Sequence, residues 1–117
     1  MSAESDLMQM IVDAAQEEDA LDLVVLDVNE KTIIADYLVI CSGRNLIHIH
    51  SIAEHVEQKL KAQGYWPLRR EGYEEGKWVI LDYASTILHI FRQQERDYYK
   101  LESLWADARK VSVERAD

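Results

Sequence analysis

The chain has 117 residues, 22 acidic against 13 basic, a formal net charge of −9 and a single cysteine, Cys41. That length implies one domain, 1–117, with a core from about residue 5 to about residue 110 that needs no disulfide or metal to hold it. Such acidity repels phosphate backbones and attracts basic partners, so direct sequence-specific nucleic-acid binding is not expected.

A lone cysteine makes no internal disulfide, which points to an intracellular protein. Cys41 sits in an apolar run, as a small core hydrophobe would. No apolar run approaches the roughly 20 residues of a bilayer span. The start, MSAESDLMQM, lacks the basic head of a signal peptide. The expectation is a soluble cytoplasmic protein with no membrane partner.

In chain order, Ser5 to Glu18 reads as a helix capped by Ser5, with Met8, Ile11, Val12 and Ala15 on one face. Glu17, Glu18 and Asp19 crowd its C-terminal end, where the helix dipole disfavours carboxylates, so it stops there. Leu21 to Val28 is a strand apolar on both faces, hence central, and Asn29 to Lys31 is a polar turn. Thr32 to Ala35 leads into a second strand, whose run Leu38-Val39-Ile40-Cys41 suits burial on both sides. Ser42-Gly43 then turns the chain into a helix from about Asn45, with Ile49, Ile52, Ala53, Val56 and Leu60 at helical spacing. Gly64 caps that helix and Pro67 prevents its continuation.

Leu68 to Glu71 is a short strand, placed near an edge by Pro67. Gly72 and Gly76 bracket a charged loop, after which Lys77 to Tyr83 and Thr86 to Arg92 are strands joined at Ala84-Ser85. Trp78, Ile80 and Asp82 point to one side, Val79, Leu81 and Tyr83 to the other. A helix begins near Gln93 and brings Tyr98, Leu101, Leu104, Trp105 and Ala108 back onto the sheet. The polar residues after about Val111 read as disordered. The fold class is α/β, with elements in the order α-β-β-α-β-β-β-α.

Motifs for catalysis are missing. His48 and His50 point nearly opposite ways on a helix, and His48 and His55 lie roughly 10 Å apart along its axis, too far for one zinc. The histidines, His89 included, read as surface residues, and no metal or cofactor is expected. The turn at Ser42-Gly43 offers free N–H groups at a helix start to an anion, without a GxGxxG or GxxxxGK[ST] motif. Asp22, Asp27, Asp36 and Asp82 make no D-x-D pair for two metals, and Ser42 is not in GxSxG. What remains is an interaction face around Trp78, Ile80 and Asp82, with Trp66 and Tyr73 just before it. Spacing alone leaves Trp78 either an anchor or a core residue.

The segments ADYLVICSG, IAEHVEQKLKAQGYWPLRREG, GKWVILDY, ILHIF and RDYYKLESLW-ADA, in that order, resemble the ribosomal silencing factor family, also called Iojap-like proteins. The likeness covers roughly Leu21 to Ala108. It implies a mixed sheet with helices, similar in outline to nucleotidyltransferases but without their catalytic carboxylates. It also implies docking on the large ribosomal subunit through ribosomal protein fourteen, which blocks small-subunit joining and represses translation when nutrients are short. The family's Gly-x-Trp, apolar run and Asp-Tyr match Gly76, Trp78 and Val79 to Tyr83, so partner contacts fall to Trp78, Ile80 and Asp82, with Tyr83, His89 and Arg92 beside them. Asp36, Tyr37, Ser42 and Gly43 match the strand-and-turn motif, where a structural role is at least as well supported. A nucleotide-binding, nucleotidyltransferase-like enzyme and a ribosome assembly factor are the alternatives.

Three departures from the family pattern stand out. Arg44-Asn45-Leu46-Ile47 replaces small and polar residues, and a homodimer contact or packing on the sheet are both open for Leu46 and Ile47. Ala84-Ser85 replaces Gly-Asp, which would loosen the hairpin because alanine resists a positive φ. His50 stands where a basic residue is common, which weakens the case for a phosphate contact.

Overall fold

The computed structural model describes residues 2–113. Helix α1 (Ala3–Glu17) begins one turn earlier than Ser5 suggests. Ser2 is the cap: its hydroxyl accepts from the Ser5 N–H, and the Ser5 hydroxyl accepts from the Ser2 N–H. The helix ends among the acids, and Glu17 meets His55 of the next helix at 2.7 Å.

Strands β1 (Leu21–Asp27) and β2 (Tyr37–Gly43) pair antiparallel, and helix α2 (Leu46–Ala62) follows on the Asn45 cap. Short β3 (Arg69–Glu71), then β4 (Trp78–Asp82) and β5 (Thr86–Arg92), complete the main sheet. With a last strand, β6 (Arg109–Val111), the strand order is β3-β4-β5-β2-β1-β6, with β2 and β5 parallel and every other pair antiparallel. The mixed α/β class and the edge position of β3 match the sequence reading. Gly43 is needed where β2 enters α2, because a Cβ there would lie 2.5 Å from Ile49 Cγ1.

The end of the chain differs from the single helix expected. Helix α3 (Gln93–Tyr99) stops at Lys100, whose left-handed φ of 49° redirects the chain into one turn, α4 (Leu101–Leu104). The chain then forms β6 (Arg109–Val111), antiparallel to β1. The redirection keeps Leu101, Trp105 and Ala108 against the sheet but leaves Tyr98 and Leu104 in solvent. The disordered tail expected beyond Val111 lies, from residue 114 on, outside the described residues.

The sheet therefore carries two cores. Helices α1 and α2 bury Val25, Val39, Cys41, Val79, Leu81 and Leu88 on one face. On the other, Leu38, Ile40, Ile87 and Phe91 pack with Leu101, Trp105 and Ala108. Arg96 ties this second layer down. The residue is only 7 % exposed, and its guanidinium donates to the Ser42 hydroxyl (2.9 Å), the Asp22 carbonyl (2.7 Å) and Glu102 (3.1 Å). The Asp22 carbonyl is available because β1 is irregular between Leu21 and Val24, with Asp22 at φ 48°.

The β4–β5 hairpin is tight, contrary to the expected loosening. Ala84 does adopt a left-handed φ of 71°, but its N–H donates to the Asp82 carboxylate (2.8 Å) and the Tyr83 N–H donates to the Thr86 carbonyl (2.9 Å). The side-chain bond offsets the strain, and pairing runs unbroken to Asp82 and Ile87. Next to Phe91 in the second core, His89 is buried rather than at the surface, and its Nδ1 accepts from the Trp78 indole N–H (3.0 Å). Burial pushes the His89 imidazole down to about 4.

Two outcomes are expected. Ala84→Gly removes the left-handed penalty and raises unfolding free energy by about 0.5–1 kcal/mol in a urea titration. His89 is a base whose folded pKa lies below its unfolded value, so the unfolded chain binds more protons in acid. Its contribution is complete above about pH 6.5 and is lost as pH falls towards 4. Urea titrations at pH 7 and pH 5 should differ by about 2 kcal/mol more in the wild type than in His89→Gln, which keeps an acceptor for Trp78.

Candidate functional site

The alternation of β4 places Trp78, Ile80 and Asp82 on the face opposite α1 and α2. Trp78 is half-buried. Its ring stacks on Phe91 with centroids 4.8 Å apart and tilts against Tyr99 at 4.9 Å, while its indole N–H is fixed by His89. The tryptophan is thus part core and part surface, which resolves the alternative that spacing left open. Ile80, also half-buried, lies two residues along the same strand, with Glu71 of edge strand β3 opposite it.

The other expected contact residues divide. Tyr83 is a correction: it is 5 % exposed and belongs to the core beneath α1 and α2, because alternation sends it to the opposite face from Trp78. His89 supports Trp78 from below. Asp82 is occupied by the Ala84 N–H and by Arg69 Nε (3.2 Å), so it shapes the hairpin beside the patch. Arg92 donates twice to Glu95, 2.6 Å each, and that pairing holds the Glu95 carboxyl below its usual range.

Each residue of the strand-and-turn motif makes a contact within the fold. Asp36 accepts from the Asn29 side chain, Tyr37 opens β2 against Thr86, Ser42 serves Arg96, and Gly43 admits Ile49. Two of the donors expected to greet an anion at the start of α2 are engaged. Asn45 accepts from the His48 N–H (2.8 Å), and His48 Nδ1 accepts from the Arg44 N–H (2.9 Å).

His48 is a further correction to the surface reading. It is buried, and its Nε2–H donates to the Glu18 carbonyl (2.8 Å) at the end of α1. His50 stacks on Tyr73, centroids 4.1 Å apart. Leu46 and Ile47 remain exposed, Leu46 lying over Gly76. Among the described residues no three histidine, cysteine or carboxylate side chains converge as metal ligands, and no helix is long and apolar enough to cross a membrane.

The sequence reading missed Tyr99 as a neighbour of Trp78 and placed Tyr98 on the sheet. Tyr98 instead stands edge-on to Tyr99 in solvent, centroids 5.0 Å apart. The adjacent pair Tyr98-Tyr99 was itself a signal, since neighbours on a helix cannot both face the same core.

The whole chain, residues 1–117, matches the family described as "Ribosomal silencing factor during starvation". A ribosomal silencing factor RsfS of Halalkalibacterium halodurans is 36% identical over 109 residues, covering 93% of each chain. The RsfS of Bacillus subtilis is 30% identical, over 90% of this chain and 89% of that one. A crystal structure of a Chromobacterium violaceum protein superposes with a TM-score of 0.87 at 26% identity, over 99% of this chain and 98% of that one. Sequence and architecture agree over nearly the full length, and the chain belongs to the ribosomal silencing factor family.

Proposed function

We propose that this chain represses translation by docking on the large ribosomal subunit through ribosomal protein fourteen and obstructing entry of the small subunit when nutrients are short. The observation that carries this reading is the family match over the whole chain together with the half-open Trp78–Ile80 step beside edge strand β3. Obstruction needs no chemistry. It needs volume at the right place and a residence time set by a few desolvated anchors. Trp78 suits that role because its ring is already fixed, so docking costs little further side-chain entropy. A net charge of −9 favours encounter with a basic ribosomal protein over bare RNA.

Sedimentation with purified large subunits at moderate salt tests the reading, and wild-type protein should co-migrate. Trp78→Ala should weaken binding by about 2 kcal/mol or more. Because that ring also contributes to the fold, Ile80→Arg provides a second arm that spares the aromatic stack and sets a cation against a basic partner. Circular dichroism checks that both variants remain folded. Folded variants that co-sediment like the wild type would remove this face from the proposal. Failure of the wild type to bind either the subunit or isolated ribosomal protein fourteen would remove the partner.

A further inference from the structure

At the end of β4 away from Trp78, the segment between β1 and β2 displays two isoleucines that the fold does not use. Ile33 is 104% exposed and Ile34 71%. The loop is not loose. The Lys31 and Thr32 N–H groups both donate to the Val28 carbonyl (2.9 and 3.1 Å), and the Ile34 N–H donates to the Thr32 hydroxyl (3.1 Å). Its base is closed by the Val28 N–H on the Asp36 carbonyl (2.9 Å) and by the Asp36 and Tyr37 N–H groups on the Ser85 carbonyl (2.8 and 3.0 Å). A hydrogen-bonded loop thus holds two large apolar side chains in water.

The hollow beside these isoleucines, lined also by Ala84 and Ser85, shares Asn29 and Asp36 with a larger concavity of about 700 Å³. Among the described residues Glu4, Asp27, Glu30, Asp36 and Asp107 line the larger one, against the cations Lys31 and Arg109. Arg109 is already engaged by Asp27 (3.0 Å). An apolar tip therefore adjoins a wall with excess negative charge. That combination selects among occupants. A second copy would bring the same acidic wall, and anionic lipid and nucleic acid are repelled by it. A basic amphipathic protein segment satisfies both parts, with apolar side chains on Ile33 and Ile34 and its lysines or arginines towards the carboxylates.

We propose that the Ile33–Ile34 loop and the adjoining acidic concavity form a second docking surface, separate from the Trp78 face, for a basic amphipathic segment of a partner protein. The proposal does not depend on the ribosomal partner named above.

The probe is a fluorescein-labelled amphipathic helical peptide of leucine and lysine, titrated by anisotropy into the full chain, with a leucine–glutamate peptide as control. Saturable, salt-sensitive binding of the lysine peptide alone is expected. Ile33→Ser with Ile34→Ser should weaken it at least tenfold, as should Glu4→Lys with Glu30→Lys, while Trp78→Ala leaves it unchanged. Thermal melts check that each variant is folded. Equal binding by wild type and the double serine variant would overturn the proposal, because attraction would then be charge alone. So would binding to phosphatidylglycerol vesicles, or self-association by light scattering, that the double serine variant abolishes.

Discussion

A guanidinium almost cut off from water determines the shape of the second face. Arg96 is a charge that burial would penalise heavily unless its donors were matched, and they are matched by the Ser42 hydroxyl, the Asp22 carbonyl and the Glu102 carboxylate. These partners come from β2, from the irregular start of β1 and from α4. Meeting them draws the C-terminal segment over the β1–β2 side of the sheet, and the chain continues along β1 as β6. On the opposite side, towards β4 and edge strand β3, Tyr99 contacts Trp78. The half-open tryptophan is thus a consequence of where the arginine anchors the last quarter of the chain.

That partial cover serves two ends at once. Phe91, Tyr99 and the neutral His89 fix the Trp78 ring in one orientation, so the docking proposed for it would freeze little further ring motion. The charged residues nearby are spent differently. Asp82 holds the hairpin turn and Arg69, and Arg92 is taken by Glu95. Charges already paired within the fold add little to affinity, so in the proposed docking the apolar ring and Ile80 would have to supply most of it.

The elements from Leu21 to Arg92 were legible because their signals are local. The run Leu38 to Cys41 is apolar on both faces, α2 has a clean helical stripe, and Gly64 marks its end with a left-handed φ of 89°. What could not be read depends on tertiary partners. Nothing near Lys100 signals a left-handed break, since lysine rarely adopts that conformation unless distant contacts impose it. The break decides that Tyr98 faces water and that a sixth strand forms. His48 and His89 looked like surface residues because their acceptors and donors, the Glu18 carbonyl, the Arg44 N–H and the Trp78 indole, become neighbours only on folding. Of the geometry of the proposed patch, alternation put Trp78, Ile80 and Asp82 on one side, yet the same alternation excludes Tyr83.

The distribution of charge adds a last step. Beside Trp78 the acids and bases largely cancel in pairs, whereas the concavity near Ile33 retains more carboxylates than cations. Long-range attraction follows unpaired charge and decays over a Debye length, while short-range grip follows desolvated apolar area. At the Trp78 face apolar area comes without unpaired charge, whereas the β1–β2 end carries both. A basic surface approaching from solution would feel the field of the β1–β2 end as well as the overall charge, and it would be held by contacts that salt weakens little at the Trp78 end. Salt should therefore act on the encounter rate more than on the lifetime of a complex formed through Trp78.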